Sequence, residues 1–327
     1  MLSNFANPYT GQTFFGFFAV LLKRLAGLVT GTLEANQLFS DEIQLLCLGS
    51  IAISCALVGI FLVLRKKTMV ANALSHTILL GIVIAFLVMR IFQGAQSDHL
   101  MSTPILLFAA MVAALLTTFC SEFLIQKVRL QEDVSIGIIF TLFFAVGVVL
   151  LTLFARSAHL GTEIVMGSVD ALQQKDIAPS FKICLINLVI ILFFFKEFKV
   201  SAFDSSFARI IGVGPLFFHY LLMVQTSVVS MISFQAIGVV MVLAFFVAPV
   251  MIMRLLTDRL LPLLFGSIAI SLASCLFGLA LSRHILTIYQ VGLSTGAMIV
   301  SSLFFFYLLL FAIKGKRLTI SDQHSTI

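Results

Sequence analysis

The chain has 327 residues, of which 61% are hydrophobic and only 10% charged, and its mean hydropathy is +1.15. A soluble globular protein carries about 25% charged residues, so a water-soluble fold would leave much of this apolar surface uncovered. The net charge of +6 fits cationic loops beside a membrane and argues against a nucleic-acid partner. The composition indicates a polytopic helical membrane protein.

The first apolar segment, residues 13–31, carries Lys23 and Arg24 at its centre. Each cation costs about 2.5–3.5 kcal/mol in the middle of a spanning helix, whereas an interfacial helix keeps its cations among the lipid headgroups. We therefore expect an amphipathic extracytoplasmic helix within an N-terminal extension, residues 1–40, with a tenth span as the alternative. The opening residues lack the basic region of a cleaved signal peptide.

Nine further apolar segments have roughly the 20 residues that cross a hydrocarbon core about 30 Å thick. They predict an all-α, polytopic bundle, with a transmembrane permease domain over 41–313 and a cytoplasmic polar tail over 314–327. The weakest boundary is Ser233–Phe234–Gln235, where two segments almost touch. The segments are 42–64, 69–92, 103–125, 134–155, 181–198, 215–233, 235–254, 260–282 and 291–313.

The distribution of Lys and Arg orients these nine spans. One set of loops, with the C-terminal tail, holds thirteen cations, and the opposite set with its flanking span ends holds five. Because cytoplasmic loops are enriched in Lys and Arg, the N-terminus is predicted outside and the C-terminus in the cytoplasm. The thirteen are Arg65, Lys66, Lys67, Lys127, Arg129, Lys196, Lys199, Arg209, Arg254, Arg259, Lys314, Lys316 and Arg317, and the five are Arg90, Arg156, Lys175, Lys182 and Arg283.

Two loops are longer than a connection needs. The outer loop, 155–176, mixes apolar and polar residues in a way that fits partial re-entry into the membrane. The inner loop, 196–215, carries the signals of a short capped helix, which suits either a docking element or an ordinary loop with a helical turn. Those signals are Asp204 or Ser205 as N-cap, a helix over about 206–211, Gly212 and Gly214 at its end, and Pro215 opening the next span.

An enzymatic site is not expected. The chain has no GxxxxGK[ST] phosphate loop, no HExxH zinc helix and no GxSxG nucleophile elbow, so it does not hydrolyse a nucleotide itself. Acidic residues inside the spans are almost absent, which leaves no obvious proton relay. The five cysteines show no CxxC spacing and are interpreted as small buried hydrophobes: Cys47, Cys55, Cys120, Cys184 and Cys275.

The stretch RKKTMVANALSHTILLG, residues 65–81, places Asn72 and His76 one turn apart on the same face of a helix. A neutral imidazole is the commonest ligand for first-row divalent metals, and an amide oxygen can complete such a site. The alternative is that both side chains hydrogen-bond to neighbouring helices. Taken alone, the two residues favour this alternative.

The segment LVLRKKTMVANALSHTILLGI, residues 62–82, resembles the signature of the metal-ion permeases of bacterial ABC importers for zinc, manganese and iron (ABC-3 type). The resemblance covers roughly residues 40–313, and with its N-terminal extension the chain resembles chlamydial members in particular. Further matches follow in the order of the family: EDVSIGIIFTLFFAVGVVLL (132–151), EIVMGSVDAL (163–172), FDSSFARIIG (203–212), IGVVMVLAFFVAPVMIMRLLT (237–257) and STGAMIV (294–300).

This resemblance implies site residues. His76 and Asn72 would contact the metal, although Asn72 stands where the family commonly has aspartate, and Ser294 replaces a proline in the last motif. Coupling to an ATPase would involve Phe203, Asp204, Ala208 and Gly212. Structural roles would fall to Gly81, Gly137, Gly238, Pro249 and Gly296.

The resemblance also implies partners and a cargo. The chain would be one permease of a dimer, identical or paralogous, served by cytoplasmic ATPase subunits and an extracytoplasmic metal-binding protein in the bacterial inner membrane. No cofactor would be permanently bound, since the zinc, manganese or iron ion is cargo. The alternatives are a secondary transporter or channel that needs no ATPase, and a structural or assembly membrane protein.

Overall fold

The computed structural model describes residues 8–9, 14–29, 38–93, 103–154 and 167–324, and within these ranges all regular structure is helical. A π-helical turn, Leu124–Val128, and a 3₁₀ turn, Val169–Ala171, accompany the α-helices. The α-helices are α1 (Phe14–Val29), α2 (Ser40–Leu64), α3 (Thr68–Gln93), α4 (Thr103–Phe123), α5 (Glu132–Phe154), α6 (Gln174–Phe193), α7 (Phe195–Phe203), α8 (Ser205–Ile210), α9 (Pro215–Ile237), α10 (Val239–Arg254), α11 (Leu260–Tyr289) and α12 (Thr295–His324).

The nine predicted spans correspond to α2–α6 and α9–α12. In the part of the chain described here, eight helices are long and apolar enough to cross a membrane, and α10 is an apolar helix of only 16 residues. At 1.5 Å per residue, α10 reaches about 24 Å. The all-helical character of the prediction is confirmed. Helix α12 continues through the predicted polar tail as far as His324.

Three predicted boundaries are wrong: the two ends of α6 and the break between α9 and α10. Helix α6 begins at Gln174 rather than near 181, because its first turn is polar and is closed by Asp176, whose Oδ2 accepts the backbone N–H of Gln173 at 2.9 Å. Helix α6 ends at Phe193, whereas the apolar segment was predicted to continue to residue 198. The break expected at Ser233–Gln235 lies at Gly238, whose φ of +82° interrupts the helix. Hydropathy alone does not report such a backbone angle.

The chain divides into two compact units, and three of the four boundaries between them fall inside α2, α6 and α10, while the fourth lies between Gly167 and Ser168. One unit comprises Met1–Ile53, Ser168–Phe181 and Ala248–Ile327. The other comprises Ser54–Gly167 and Lys182–Val247. We call them the terminal unit and the central unit.

In the terminal unit, α1 packs against α11. Tyr9, Phe17 and Leu21 form a buried cluster with Leu279 and Ala280. The opposite face of α1 is exposed and mostly apolar, since it carries Phe15, Ala19, Leu22, Lys23 and Ala26. The 16 residues of α1 do not place it among the candidate spans. Its exposed face suits contact with lipid better than contact with water.

Buried acids at the start of α2 tie the terminal unit together. Glu42 accepts a hydrogen bond from the Tyr9 hydroxyl at 2.8 Å and forms an ion pair with Arg24, which also stacks over the Phe39 ring. Burial raises the pKa of Tyr9 above its ordinary value, and the hydrogen bond to Glu42 raises it further. The hydrogen bond to Glu42 also raises the pKa of Arg24. The neighbouring acid, Asp41, pairs with Arg283 of α11. Since buried charges must be paired, these contacts fix α1 and α11 to the start of α2.

In the central unit, α3, α4, α5 and α9 pack on one another. Helices α3 and α4 approach closely at Gly81, where an added Cβ would lie 2.6 Å from the backbone oxygen of Ala109. The Ser227 hydroxyl on α9 donates to the backbone oxygen of Ala110 at 2.8 Å. The predicted structural role of Gly81 therefore has a steric basis.

Candidate functional site

Helix α3 presents Asn72 and His76 on one face, as the spacing predicts. Asn72 is exposed, and His76 is half-buried against α5, where its ring centroid lies 5.0 Å from that of Phe140 and 5.3 Å from that of Phe144. Across the described ranges, the His76 imidazole makes these ring contacts and no hydrogen bond. An interhelical hydrogen bond, the alternative left open by the sequence, is therefore not what holds His76.

The pair is only part of a coordination shell. No group of three His, Cys, Asp or Glu side chains that could hold a metal ion occurs among the described residues. One imidazole nitrogen and one amide oxygen leave most positions of a four- or six-coordinate ion to water or to another chain. Such an arrangement suits passage of an ion better than permanent binding.

The inner loop forms the predicted short helix, α8, within one residue of its expected bounds. Asp204 is the N-cap, because its Oδ1 accepts the backbone N–H groups of Ser206 and Phe207, each at 2.9 Å. Gly212 ends the helix with a φ of +83°, and Pro215 opens α9. The local signals of capping and termination were sufficient to predict this element.

The predicted coupling residues separate into two groups. Phe203, the last residue of α7, is exposed, and so are Phe207 and Ile210 of α8, so that the end of α7 and α8 together display an apolar surface. Ala208 is fully buried. Ala208 therefore packs α8 against the rest of the central unit and does not belong to the exposed surface, a distinction that the sequence motif does not contain.

A basic cavity of about 420 Å³ lies beside α8 in the central unit. Its cations are Arg65, Lys66, Lys67 and Arg209, against the single carboxylate of Glu122. Arg65 donates from Nη2 to the Ser201 hydroxyl at 2.6 Å, and its buried Nε has no hydrogen-bond partner in the described structure. Burial lowers the pKa of Arg65 to about 10. The cavity therefore favours an anionic group.

Sequence reasoning assigned Arg65, Lys66 and Lys67 only a topological role. Their cavity depends on the fold, because α8 brings Arg209 to the turn between α2 and α3. Lys66 has a φ of +58°, and this left-handed residue shapes that turn. The sequence RKK, residues 65–67, indicates a local concentration of positive charge, but it does not indicate that Arg209 lies beside it in the fold.

The predicted structural residues differ in their surroundings. Gly238 contacts Gly167, since a Cβ on Gly238 would lie 2.7 Å from the Gly167 oxygen and one on Gly167 would lie 2.1 Å from the Phe234 oxygen. No atom lies within 4 Å of a Cβ added to Gly137, so packing does not explain that glycine. Pro249 lies inside α10, and Gly296 is half-buried in the first turn of α12.

The outer loop is described only from Gly167 onward, and its predicted part over 155–166 lies outside the described residues. Beyond Gly167, the 3₁₀ turn directs Asp170 to the start of α12. Its carboxylate accepts the Thr295 hydroxyl at 2.5 Å and the Thr295 backbone N–H at 3.3 Å. Asp170 thus caps α12 from a distance, which the sequence pattern did not reveal.

Residues 42–314 match the ABC 3 transport family, and the chain belongs to that family. A probable metal transport system membrane protein of Chlamydia muridarum (strain MoPn / Nigg) is 38% identical over 302 residues, which are 92% of this chain and 93% of the relative. The manganese transport system membrane protein MntD of Bacillus subtilis (strain 168) is 36% identical over 241 residues, 70% of this chain and 78% of the relative.

Among solved structures, PsaBC from Streptococcus pneumoniae in complex with Fab matches with a TM-score of 0.68 and 24% identity, covering 89% of this chain and 95% of that chain. At this identity, the match supports the fold alone. The resemblance predicted from the motifs is confirmed, including the likeness to chlamydial relatives. These relatives are named as membrane proteins of metal and manganese transport systems.

Proposed function

We propose that this chain is the permease subunit of an ATP-binding-cassette importer that moves a divalent transition metal ion, zinc, manganese or iron, across the bacterial inner membrane. A separate subunit would hydrolyse the ATP. Relatives named for metal and manganese transport support the cargo class. The described helices, apolar and long enough to span, support a path through the bilayer.

The observation that carries the proposal is helix α8. This six-residue helix, capped by Asp204 and ended by Gly212, displays Phe207 and Ile210 to solvent next to a basic cavity, and Phe203 at the end of α7 is exposed beside it. Exposed apolar side chains rimmed by charge are typical of a protein–protein contact. A secondary transporter or channel has no need for such a surface, whereas a cytoplasmic ATPase would cover it.

His76 and Asn72 are proposed to line the ion path. The His76 imidazole makes no hydrogen bond in the described ranges, and the exposed position of Asn72 brings its amide to the edge of the central unit. Because the pair supplies too few ligands for a metal, further ligands would come from water and from a second permease. Because Asn72 stands in place of a carboxylate, the site has one negative charge fewer. We therefore expect the ion to bind more weakly and to exchange faster.

The proposed assembly contains two permeases, cytoplasmic ATPase subunits and an extracytoplasmic metal-binding protein. Helix α5 supports the contact between permeases, because many apolar side chains along it remain exposed in the single chain, including Ile138, Leu142 and Leu153. The Lys and Arg distribution supports a cytoplasmic location for α8 and for the C-terminus.

Purification of the full-length chain from its native membrane tests the proposal. The expected result is co-purification of an ATPase subunit, and ATP hydrolysis that rises when metal-loaded binding protein is added. Variant Ile210→Asp should lose the ATPase subunit, while Val128→Asp, at an exposed apolar position outside α8, should keep it. An isolated permease that transports metal without any ATPase would establish the secondary-transporter alternative.

A further inference from the structure

The basic cavity beside α8 has more positive charge than the carboxylates around it can balance. Lys67 is bound to Glu132 at 2.6 Å. Arg65, Lys66 and Arg209, in contrast, form no ion pair with any residue that the structure describes. Cations that share one cavity repel one another, and a buried cation is costly unless an anion pairs with it. The cavity therefore favours a negatively charged group from outside this chain.

Arg65 is the cation whose surroundings compensate its charge least. Its Nη2 donates to the Ser201 hydroxyl at 2.6 Å, and its buried Nε has no hydrogen-bond partner among the described residues. A hydroxyl is neutral and takes up only one of the five N–H groups of a guanidinium. Phosphate oxygens suit this planar group, because they accept two parallel N–H bonds from it and carry the opposite charge.

The one carboxylate in the lining is already engaged. Glu122 Oε1 lies 3.3 Å from His219 Nε2, and Glu122 Oε2 accepts a hydrogen bond from Gln126 Nε2 at 3.2 Å. Four cations against this carboxylate leave the lining a net charge of +3 when His219 is neutral. The contact of Glu132 with Lys67 lowers this charge to +2. Glu122 therefore does not cancel the attraction of the cavity for an anion.

The cavity has the size and the surroundings for a phospholipid headgroup. Its volume is about 420 Å³, whereas one water-sized occupant needs about 10–15 Å³. It opens at the ends of spanning helices, since Leu64, which ends α2, and Pro215, which begins α9, both line it. Exposed apolar side chains, Phe203 and Leu216, line it as well. Basic pockets between spanning helices on the cytoplasmic side are typical sites for anionic lipid headgroups.

The cavity lies on a different face of α8 from the one proposed to contact an ATPase. Ser205 and Arg209 line the cavity and are one turn apart on the same side of the helix. At 100° per residue, Phe207 and Ile210 point about 120–180° away from that side, and neither lines the cavity. An occupant of the cavity is therefore not required to belong to the protein that covers Phe207 and Ile210.

We propose that the basic cavity binds the phosphate headgroup of an anionic phospholipid from the leaflet at this end of the bundle. Arg65 and Arg209 hold the phosphate oxygens, and the exposed Lys66 adds positive charge at the rim. The acyl chains follow the exposed apolar side chains of Leu216 and Phe217 along α9. The bound headgroup joins the turn between α2 and α3 to α8. It thereby steadies the docking helix, and this consequence alone rests on the proposed function.

The test titrates phosphatidylglycerol into the delipidated full-length chain in detergent and follows bound lipid by native mass spectrometry. We expect one tightly bound phosphatidylglycerol per chain, which an equal concentration of zwitterionic phosphatidylcholine does not displace. Either Arg65→Gln or Arg209→Gln should weaken its binding about tenfold, as expected for the loss of a charge-assisted hydrogen bond. Arg259→Gln is the matched control, because it removes an exposed arginine outside the cavity and should leave the affinity unchanged.

Arg209 is exposed, so Arg209→Gln keeps the test decisive even if Arg65→Gln does not fold. Equal affinity for phosphatidylglycerol and phosphatidylcholine, or wild-type affinity in the arginine variants, would overturn the lipid site. Displacement of the lipid by an equal concentration of inorganic phosphate would also overturn it, in favour of a small soluble anion.

A further outcome concerns the ATPase subunit. If the two arginine variants lose this subunit on purification but bind phosphatidylglycerol as the wild type does, the cavity holds an acidic surface of that subunit and the lipid proposal is wrong. Because lipid binding is measured without the ATPase, its failure leaves the proposed function intact. Selective lipid binding by a chain that transports no metal would retain the site and reject the function.

Discussion

His76 has its ring against Phe140 and Phe144, with no hydrogen bond in the described ranges. A histidine that joins neighbouring helices donates or accepts a hydrogen bond. A histidine that binds a passing metal ion instead keeps one ring nitrogen available for the ion. The environment of this one side chain is therefore compatible with the proposed role as a ligand and does not show the hydrogen bond that the alternative requires.

We predict that His76→Ala abolishes metal uptake while protein level and ATPase binding remain normal. Loss of the imidazole removes the nitrogen ligand of the path, and the neighbouring phenylalanines retain an apolar environment for the smaller side chain. The measurement is uptake of zinc, manganese and iron isotopes into vesicles. Asn72→Asp is the matched comparison, because it adds a charged ligand and should change selectivity or turnover without loss of fold.

Wild-type uptake of all three metals by both variants would remove this pair from the path. A fall in uptake that merely follows a fall in protein level would instead assign the two residues to stability.

Arg24 and Lys23 give a second prediction at the residue scale. Arg24 pairs with the buried Glu42, whereas Lys23 is exposed on the same helix. Breaking a buried ion pair lowers the free energy of unfolding by about 3–5 kcal/mol. Because Arg24 is partly exposed, we expect the effect of Arg24→Gln to lie at the lower end of this range. Lys23→Gln should change stability by less than about 0.5 kcal/mol. Thermal unfolding in detergent measures both, and equal effects would contradict the pairing.

The sequence identified Lys23 and Arg24 as costly in a span, but it did not distinguish them. Arg24 finds Glu42 only because α1 folds back onto the start of α2. The contact between Glu122 of α4 and His219 of α9, whose Oε1 and Nε2 atoms lie 3.3 Å apart, was missed for the same reason, since the two residues come from separate helices and share no motif. By contrast, Asn72 and His76 were found because one helical turn separates them.

At the element scale, α8 shows how far local chemistry determines structure. Asp204, Gly212 and Pro215 specify its beginning, its end and the start of α9, and the helix forms where they place it. The break between α9 and α10 was predicted at Ser233–Gln235 and lies at Gly238, because apolar residues continue on both sides of this glycine and only its positive φ interrupts the helix.

The exposed face of α8 gives the prediction at this scale. Ile210 is 82% exposed, and Ile210→Asp should place a charge in the contact with an ATPase without disturbing the seating of Ala208. Stimulation of ATP hydrolysis by the permease should fall at least about tenfold, the loss of roughly 1.4 kcal/mol of contact energy. Val128→Asp is the control. Stimulation that survives Ile210→Asp but not Val128→Asp would assign docking to a different surface.

At the scale of the whole molecule, the prediction concerns topology. Ser205 and Gln131 should face the cytoplasm, and Gln173 and Gln290 should face outward, because Lys and Arg concentrate on the former side. Cysteines introduced singly at these exposed positions should react with an impermeant maleimide in intact cells only at the outward pair. The native chain is the control, since its cysteines are buried or half-buried.

Labelling of Ser205→Cys in intact cells would reverse the orientation. Because α10 has only 16 residues, the experiment also reports whether it crosses. A short α10 that failed to cross would put Ser205 and Gln290 on the same side.

The whole-molecule class was predictable because composition and span length are properties of the entire chain. The division into a terminal and a central unit was not, since three of its four boundaries fall inside the apolar helices α2, α6 and α10. A hydropathy profile records where helices are apolar, but not which helices pack together.

The central claim is that metal movement through this chain is driven by ATP hydrolysis in another subunit. Its most direct test is accumulation of radioactive manganese in proteoliposomes that contain the permease, its ATPase and the metal-binding protein. The account predicts accumulation with ATP, none with a non-hydrolysable analogue, and none with His76→Ala. Equal accumulation with and without ATP hydrolysis would contradict it.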